Sequence, residues 1–304
     1  MEIKEAKYML AVAKYQSINK AAKALYISQP SLSKYLHNLE YRMGVKLFDH
    51  IQNKYVPTYV GKRYLSYARK LIQIDNEWLQ ELQDIQNSKK GTMSIAAPIV
   101  RSACLIPKTI SRFHEEYPDI EINIFEMATA VEQVLENQTD VDAVIYNVDV
   151  PPKNLDYAIL GYSEITMVVP KDHPFVSMAV SKKGFKYPWI DLTLANKEHF
   201  ILLHDEQTTE KLLNEFFDKN HFKPDVWMRT RSSEVAIRMV MQGSGITFAN
   251  ENYVKNLDLS KELVCLSIGN EPLYSTLIAA CRRDQYLPEH LHRYLEIIQE
   301  SFNS

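Results

Sequence analysis

Between residues 28 and 34 the chain reads Ser28-Gln29-Pro30-Ser31-Leu32-Ser33-Lys34, a run dense in short hydrogen-bonding side chains. A glutamine carboxamide offers one donor and one acceptor side by side, which matches the N6/N7 edge of adenine, and serine hydroxyls can donate or accept at base edges and phosphates. Lys34 adds a cation for guanine or a phosphate. A second polar group follows in "NKYVPTYVGKR", where Asn53, Lys54, Thr58, Lys62 and Arg63 are suited to phosphate contact. The chemistry these residues share is recognition of double-stranded DNA.

Such side chains act only if an element holds them in a groove. Ser17 is a good N-cap for "INKAAKAL", and Ser28 caps a second helix with Pro30 in its first turn, where a missing N–H costs least. Only Tyr26 and Ile27 separate the two, so the pattern predicts a helix-turn-helix. Leu32, Leu36 and Leu39 should face the core, leaving Gln29, Ser31, Ser33, Lys34 and Tyr35 outward. The stretch after Gly44 predicts a wing.

Charge supports the same reading. Residues 1–72 carry 13 Lys and Arg against 4 Asp and Glu, whereas the whole chain has net charge -3, so the remainder is strongly acidic. That asymmetry suits a nucleic-acid-binding unit joined to something else. With 46% hydrophobic and 24% charged residues in 304, the chain is globular and long enough for more than one core. The start "MEIKEAKYML" lacks an apolar signal core and no stretch is long enough to span a bilayer, which predicts a cytoplasmic protein without membrane contact. Cys104, Cys265 and Cys281 lie far apart in apolar surroundings and read as reduced core thiols.

From Gly61 to Lys89 no Pro or Gly interrupts the chain, and Ala68, Leu71, Asp75, Trp78, Leu82 and Ile85 recur at spacings of three and four, with Ile72 and Leu79 beside them. This predicts a coiled-coil seam and hence a dimer. Beyond Gly91 strand-like and helix-like segments alternate, the sign of open α/β units. Gly161 and Gly269 mark expected passages between two lobes, and Leu287, Leu291, Leu295, Ile298 and Phe302 give a closing amphipathic helix. His204, Asp205 and Glu206 point in different directions at a strand end and have no further ligand at suitable spacing, so neither metal nor acid–base chemistry is expected.

The segment "MLAVAKYQSINKAAKALYISQPSLSKYLHNLEYRMGVKLFDH", followed by "VPTYVG", resembles the N-terminal signature of LysR-type transcriptional regulators, and "YPDIEINIFE", "VDAVIY", "KDHPF" and "QGSGITF" are similar to phrases of that family's effector domain. His50 stands where the pattern usually has Arg, so the resemblance implies a phosphate contact there that is weaker than usual, and Pro57 replaces the usual aliphatic residue before the wing Thr. The resemblance implies an α/β chain in three parts: an all-α winged helix-turn-helix over 1–58, a linker helix over 59–90 that forms dimers, and an effector domain over 91–304. That last part should be two-lobed like periplasmic binding proteins, lobe I spanning 91–161 and 268–304 and lobe II 162–267. The resemblance also implies a tetramer on DNA, and the expected consequence of effector binding is altered access for RNA polymerase.

By the same resemblance a small effector should bind between the lobes. Its walls would be the loop carrying Ile99, Val100, Arg101 and Ser102, then Thr129, Tyr146 and Asn147, with Leu203, His204 and Phe248 from lobe II. Free N–H groups where that loop opens a helix, with Arg101, favour a carboxylate, and the apolar residues favour a hydrocarbon or aromatic part. Arg101 itself is expected at the cleft rim. The reading is therefore a regulator, not an enzyme, with no cofactor besides the effector. Two rivals are an enzyme with a DNA-binding arm, which needs a convergent catalytic cluster, and a ligand-independent DNA-bound module.

Overall fold

Glu2 and Glu5 start the first helix, α1 (Ile3–Tyr15), with the Glu5 carboxylate accepting the Glu2 N–H at 3.0 Å. Ser17 Oγ accepts from the Lys20 N–H to open α2 (Ile18–Ala24), and Ser28 Oγ accepts from the Ser31 N–H to open α3 (Gln29–Met43). Gly44 ends α3 in the left-handed region at φ +70, where a side chain would be strained. These elements come from a computed structural model, which describes residues 1–86, 90–127, 131–256 and 262–303.

The chain divides into two units, Met1–Ser88 with Glu136–Asp140, and Lys89–Leu135 with Val141–Ser304. In the first, β1 (Phe48–Ile51) and β2 (Lys54–Pro57) pair as a hairpin whose turn residues Gln52 and Asn53 both have positive φ. That is the geometry of a two-residue turn matched to strand twist. Pro57 sits opposite Phe48 at the hairpin's end, so the wing closes normally despite the proline. The long helix α4 (Tyr59–Ile85) then packs its first half back on α1. Gly61 lets the start of α4 lie against the chain ahead of the wing, because a Cβ there would lie 1.9 Å from the Leu47 carbonyl oxygen. Met9, Val12, Ala21, Leu32, Leu36, Leu65 and Ala68 are buried together as this unit's core.

The α4 seam differs from the sequence expectation. Ala68 and Ile72 are buried against the helical core, and Asp75 pairs with Lys7 of α1 at 3.8 Å, so that row faces its own unit. The exposed row is Tyr67, Ile74, Trp78 and Ile85, at 57%, 62%, 54% and 64% exposure, with half-buried Leu71 between them. Leu71, Trp78 and Ile85 belong to both rows; Tyr67, Ile74 and Glu81 replace Ala68, Asp75 and Leu82.

The second unit holds β3 (Gly91–Pro98), α5 (Ile99–Glu116), β4 (Ile120–Met127), α6 (Val131–Asn137) except its last two residues, β5 (Ala143–Val148) and β6 (Leu155–Pro170). Then come α7 (Pro174–Met178), β7 (His199–Leu203), α8 (Thr208–Lys219), β8 (Asp225–Thr230) and α9 (Ser233–Met241). It ends with β9 (Thr247–Asn250), α10 (Glu251–Asn256), β10 (Leu263–Leu266), β11 (Tyr274–Arg282) and α11 (Glu289–Asn303). In lobe I the strand order is β6-β11-β5-β3-β4, with β3 parallel to β4 and β5. Helices α5 and α11 cover one face, where Met93, Ile95, Phe113, Tyr294 and Ile298 are buried. In lobe II, β6 pairs with β9 and β10, β7 pairs with β8, and Phe200, Phe217 and Phe248 centre the core.

One strand joins the lobes. β6 pairs with β11 as far as Glu164↔Tyr274 and with β9 from Ile165↔Asn250, so the crossing lies after Glu164, not at Gly161. Gly161 is instead a packing position, because a Cβ there would lie 2.6 Å from the Phe302 ring. The return passes through residues 267–273, near Gly269.

Candidate DNA-reading surface and inter-lobe site

Burial of Leu32, Leu36 and Leu39 under α1 and α2 turns the opposite face of α3 outward. Ser28, Gln29, Pro30, Ser31 and Lys34 are exposed there and Ser33 is half-buried. Ser28 and Ser31 also bond to each other, Oγ to Oγ at 2.8 Å. Tyr35, expected outward, is half-buried edge-on against Tyr8, with ring centroids 5.0 Å apart. On the wing His50, Asn53 and Lys54 are exposed, and the His50 ring leans on Tyr55.

Thr58 is a correction. Its Oγ1 accepts from the Gly61 N–H at 2.9 Å and its hydroxyl donates to the Lys46 carbonyl at 2.8 Å, so it caps α4 and ties the wing down instead of reaching a phosphate. Glu40 does similar work: its Oε1 accepts from the Leu47 and Phe48 N–H groups at 2.7 and 3.1 Å, fixing the chain between α3 and the wing. Glu5 is buried and ion-paired with Arg42. Burial alone would raise its pKa, but the Arg42 guanidinium and the Glu2 N–H together hold the carboxyl below its ordinary value.

In the second unit the residues expected in a loop, Ile99 to Ser102, form the first turn of α5, whose N-cap Pro98 supplies no side-chain acceptor. The helix also starts earlier than its apolar pattern from Ile106 suggests, carrying exposed Pro107 inside it. Ile99 is exposed, Val100 packs on Cys104's cluster, and Ser102 is buried. Arg101 is no rim residue: only 1% of it is exposed. Its guanidinium donates to Asn147 Oδ1 and lies over the Tyr253 ring, 5.0 Å from the centroid. Nε finds no acceptor, and among the described residues no carboxylate pairs with it.

Other expected cleft residues are distributed differently. Phe248 lies in the lobe II core, stacked on Phe200 at 5.7 Å, because alternation along β9 turns it away from the crossing. Tyr146 is likewise turned into lobe I beside Ala96 and Val144, while Asn147, one residue on, faces Arg101. Leu203 is buried; its N–H donates to Glu210 and its carbonyl accepts from Arg229 at 2.6 Å. His204 is half-buried and its N–H donates to the Thr230 carbonyl at 3.2 Å. Thr129 lies outside the described residues.

The crossing gathers polar residues the sequence reading did not single out. Asn250 and Ser275 are wholly buried and bonded at 2.6 Å, and Thr209 follows Asn250 at 3.4 Å. Their signal was faint: a lone Asn or Ser at the end of the apolar strands "ITFAN" and "YSTLIAA". Asp205 and Glu206 pair with Arg229 and Arg231, and among the described residues no metal-binding cluster of His, Cys, Asp or Glu occurs.

A winged helix-turn-helix with an outward polar recognition helix, joined to a two-lobed α/β domain, defines a DNA-binding regulator of the ligand-responsive class. A family model described as "Bacterial regulatory helix-turn-helix protein, lysR family" matches residues 3–62, and one described as "LysR substrate binding domain" matches residues 86–303. The chain belongs to the LysR family of DNA-binding transcriptional regulators with an effector-binding domain. It is 25% identical over 310 residues to the HTH-type transcriptional regulator YcgK of Bacillus subtilis, covering 99% of this chain and 95% of that one. Full-length OxyR of Pseudomonas aeruginosa has a similar fold, with TM-score 0.77, 21% identity and coverage of 100% of this chain and 95% of the other. CbnR in complex with its target DNA matches with TM-score 0.63 and 16% identity over 99% of this chain and 100% of that one. Among the described residues no helix is long and apolar enough to cross a membrane.

Proposed function

We propose that this regulator is switched by a small organic anion, a carboxylate in the first instance, held between its lobes at Arg101. The observation that carries the reading is a fully buried guanidinium with one hydrogen bond, one aromatic face and no carboxylate among the described residues. A buried charge without a counter-ion is costly, so an anion that supplies one gains strongly. The N-terminus of α5, whose N-cap Pro98 supplies no side-chain acceptor, adds N–H groups of the right sign. No bound cofactor and no catalysis are part of this reading, and the protein acts in the cytoplasm.

On DNA, two copies joined along the exposed row of α4 would place two α3 helices in successive major grooves, with Gln29 reading bases and His50, Asn53 and Lys54 on the backbone. CbnR is known bound to its target DNA, and the same use of the shared fold is proposed here. Pairs of dimers would form the tetramer, and an effector that prefers one lobe arrangement would change their angle and the access of RNA polymerase.

The test is thermal unfolding of the full-length protein with sodium succinate, citrate or benzoate and, as neutral counterparts, the corresponding amides. A ligand at a hundredfold its Kd stabilises by about 2.7 kcal/mol. A concentration-dependent rise with an anion but not its amide supports the reading. Equal rises with both, or none with any anion, would sink it.

A further inference from the structure

A chain of side-chain hydrogen bonds runs from the first turn of α5 to the first turn of α8, and one arginine fixes its direction. Arg101 can only donate, so Asn147 must turn Oδ1 toward it. The Asn147 amide nitrogen therefore donates to Ser275 Oγ at 2.9 Å. Ser275 has a single proton, and Asn250 Oδ1 at 2.6 Å takes it in preference to the Ser163 carbonyl at 3.5 Å. That leaves the Asn250 amide nitrogen to donate to Thr209 Oγ1 at 3.4 Å. Among the described residues Thr209's own proton has no acceptor.

The five residues stand on α5, β5, β11, β9 and α8, so the relay passes from lobe I to lobe II. It does so where β6 changes partner, Ser275 lying opposite Ser163 and Asn250 opposite Ile165. Rotation of one lobe on the other must strain or break it. Deleting one member of a buried polar network leaves its neighbours without partners, and bonds polarised in one direction reinforce one another.

We propose that this relay couples the lobes: Asn147, Ser275 and Asn250 are positioning residues that hold Arg101 ready for an anion and leave Thr209 as a hydrogen-bond donor to the same ligand from lobe II. The ligand half of this rests on the anion reading above. The coupling half does not, and Asn147→Asp separates them. An aspartate still accepts from Arg101 but cannot donate to Ser275, so the Ser275 proton must turn back toward it. Asn250 then flips, and Thr209 becomes the donor into the chain. The same change gives Arg101 an internal counter-ion.

The experiment compares the full-length wild type with Asn147→Asp and Ser275→Ala by amide hydrogen exchange at residues 211–213 of α8 and by thermal response to sodium succinate, citrate and benzoate. In Ser275→Ala, exchange at 211–213 should rise about five-fold although the substitution lies in the other lobe. Asn147→Asp should unfold at a higher temperature than the wild type and lose its response to any of the anions that stabilise the wild type. Unchanged exchange at 211–213 in Ser275→Ala overturns the coupling. An anion response that survives Asn147→Asp overturns the positioning of Arg101. A wild type indifferent to all three anions overturns the anion reading and the ligand half with it, and the exchange result alone then decides the coupling.

Discussion

A threonine hydroxyl has one proton to give, and in Thr58 it goes to the Lys46 carbonyl while the oxygen caps the Gly61 N–H. Thr58→Ala should therefore cost the DNA-binding unit about 1 kcal/mol, the usual worth of an N-cap, and leave the salt dependence of DNA binding unchanged. Lys54, exposed on the wing, should behave in the opposite way. Its replacement by Ala should weaken specific and random DNA alike and reduce the slope of log K against log salt by about 0.9. Gln29→Ala should keep that slope and lose about 1–3 kcal/mol of discrimination at one base pair. Titrating the three variants with specific and random duplexes over a range of salt checks all of this, and equal behaviour of Gln29→Ala and Lys54→Ala would refute the division. At this scale the sequence was legible where a role is local. Ser17 and Ser28 are caps because the helix after each begins there. It was illegible where a distant segment supplies the partner: Lys46 for Thr58, Tyr8 for Tyr35 and Asn147 for Arg101.

Among the elements α4 is the instructive one, since two rows of spacing three and four overlap on it and share Leu71, Trp78 and Ile85. Periodicity establishes that an apolar row exists but not which of two adjacent rows the helix's own unit consumes. Here α1 takes Ala68, Ile72 and Asp75, leaving Tyr67, Ile74 and Trp78 outward. The two rows respond differently to charge. Ile74→Glu should dissociate dimers while leaving the unfolding temperature of the DNA-binding unit nearly as it was, and Trp78→Ala should weaken association by about 2 kcal/mol or more. Ala68→Glu should unfold the unit itself, because that position is wholly buried. Sedimentation velocity over a concentration series, paired with calorimetry, separates the outcomes; an Ile74→Glu protein that stays dimeric would show that the exposed row is not the contact. The β6 strand carries a similar lesson. Its second half, "EITMVVP", is a plain apolar run, but the first half bears exposed Asp156, Tyr157, Ala158 and Ile159, so Gly161 looked like a boundary inside what is one strand of 16 residues.

At the scale of the whole molecule, the two units hold buried carboxyls of opposite kind. Glu5 in the first is kept below its ordinary pKa by Arg42 and the Glu2 N–H, against the effect of burial. Its contribution is present above about 4.5 and is lost as pH falls through the folded value. Glu164 in the second is wholly buried at the lobe crossing, and neither carboxyl oxygen has a well-formed hydrogen bond. Burial pushes its pKa up and the charge of Glu251 adds to this, while the Ser267 hydroxyl and Lys186 pull the other way. Here the sign reverses. The folded effector domain favours the protonated acid, so this contribution is present below the unfolded value near 4.5 and is lost as pH rises through the folded one. The neighbouring Glu251 carboxylate is engaged differently, pairing with Lys186 at 2.6 Å and accepting from the Tyr187 hydroxyl. Glu164→Gln keeps the shape and removes the charge. At pH 7.5 it should raise the effector domain's unfolding temperature by a few degrees, because the amide has no charge to bury and needs no proton taken up on folding. Near pH 4 the gain should vanish, since the wild-type carboxyl is then neutral too. Calorimetry of wild type and variant from pH 4 to 8 reads this directly, and a gain that is constant across the range, or a variant less stable at pH 7.5, would mean that Glu164 is ionised and satisfied at the crossing.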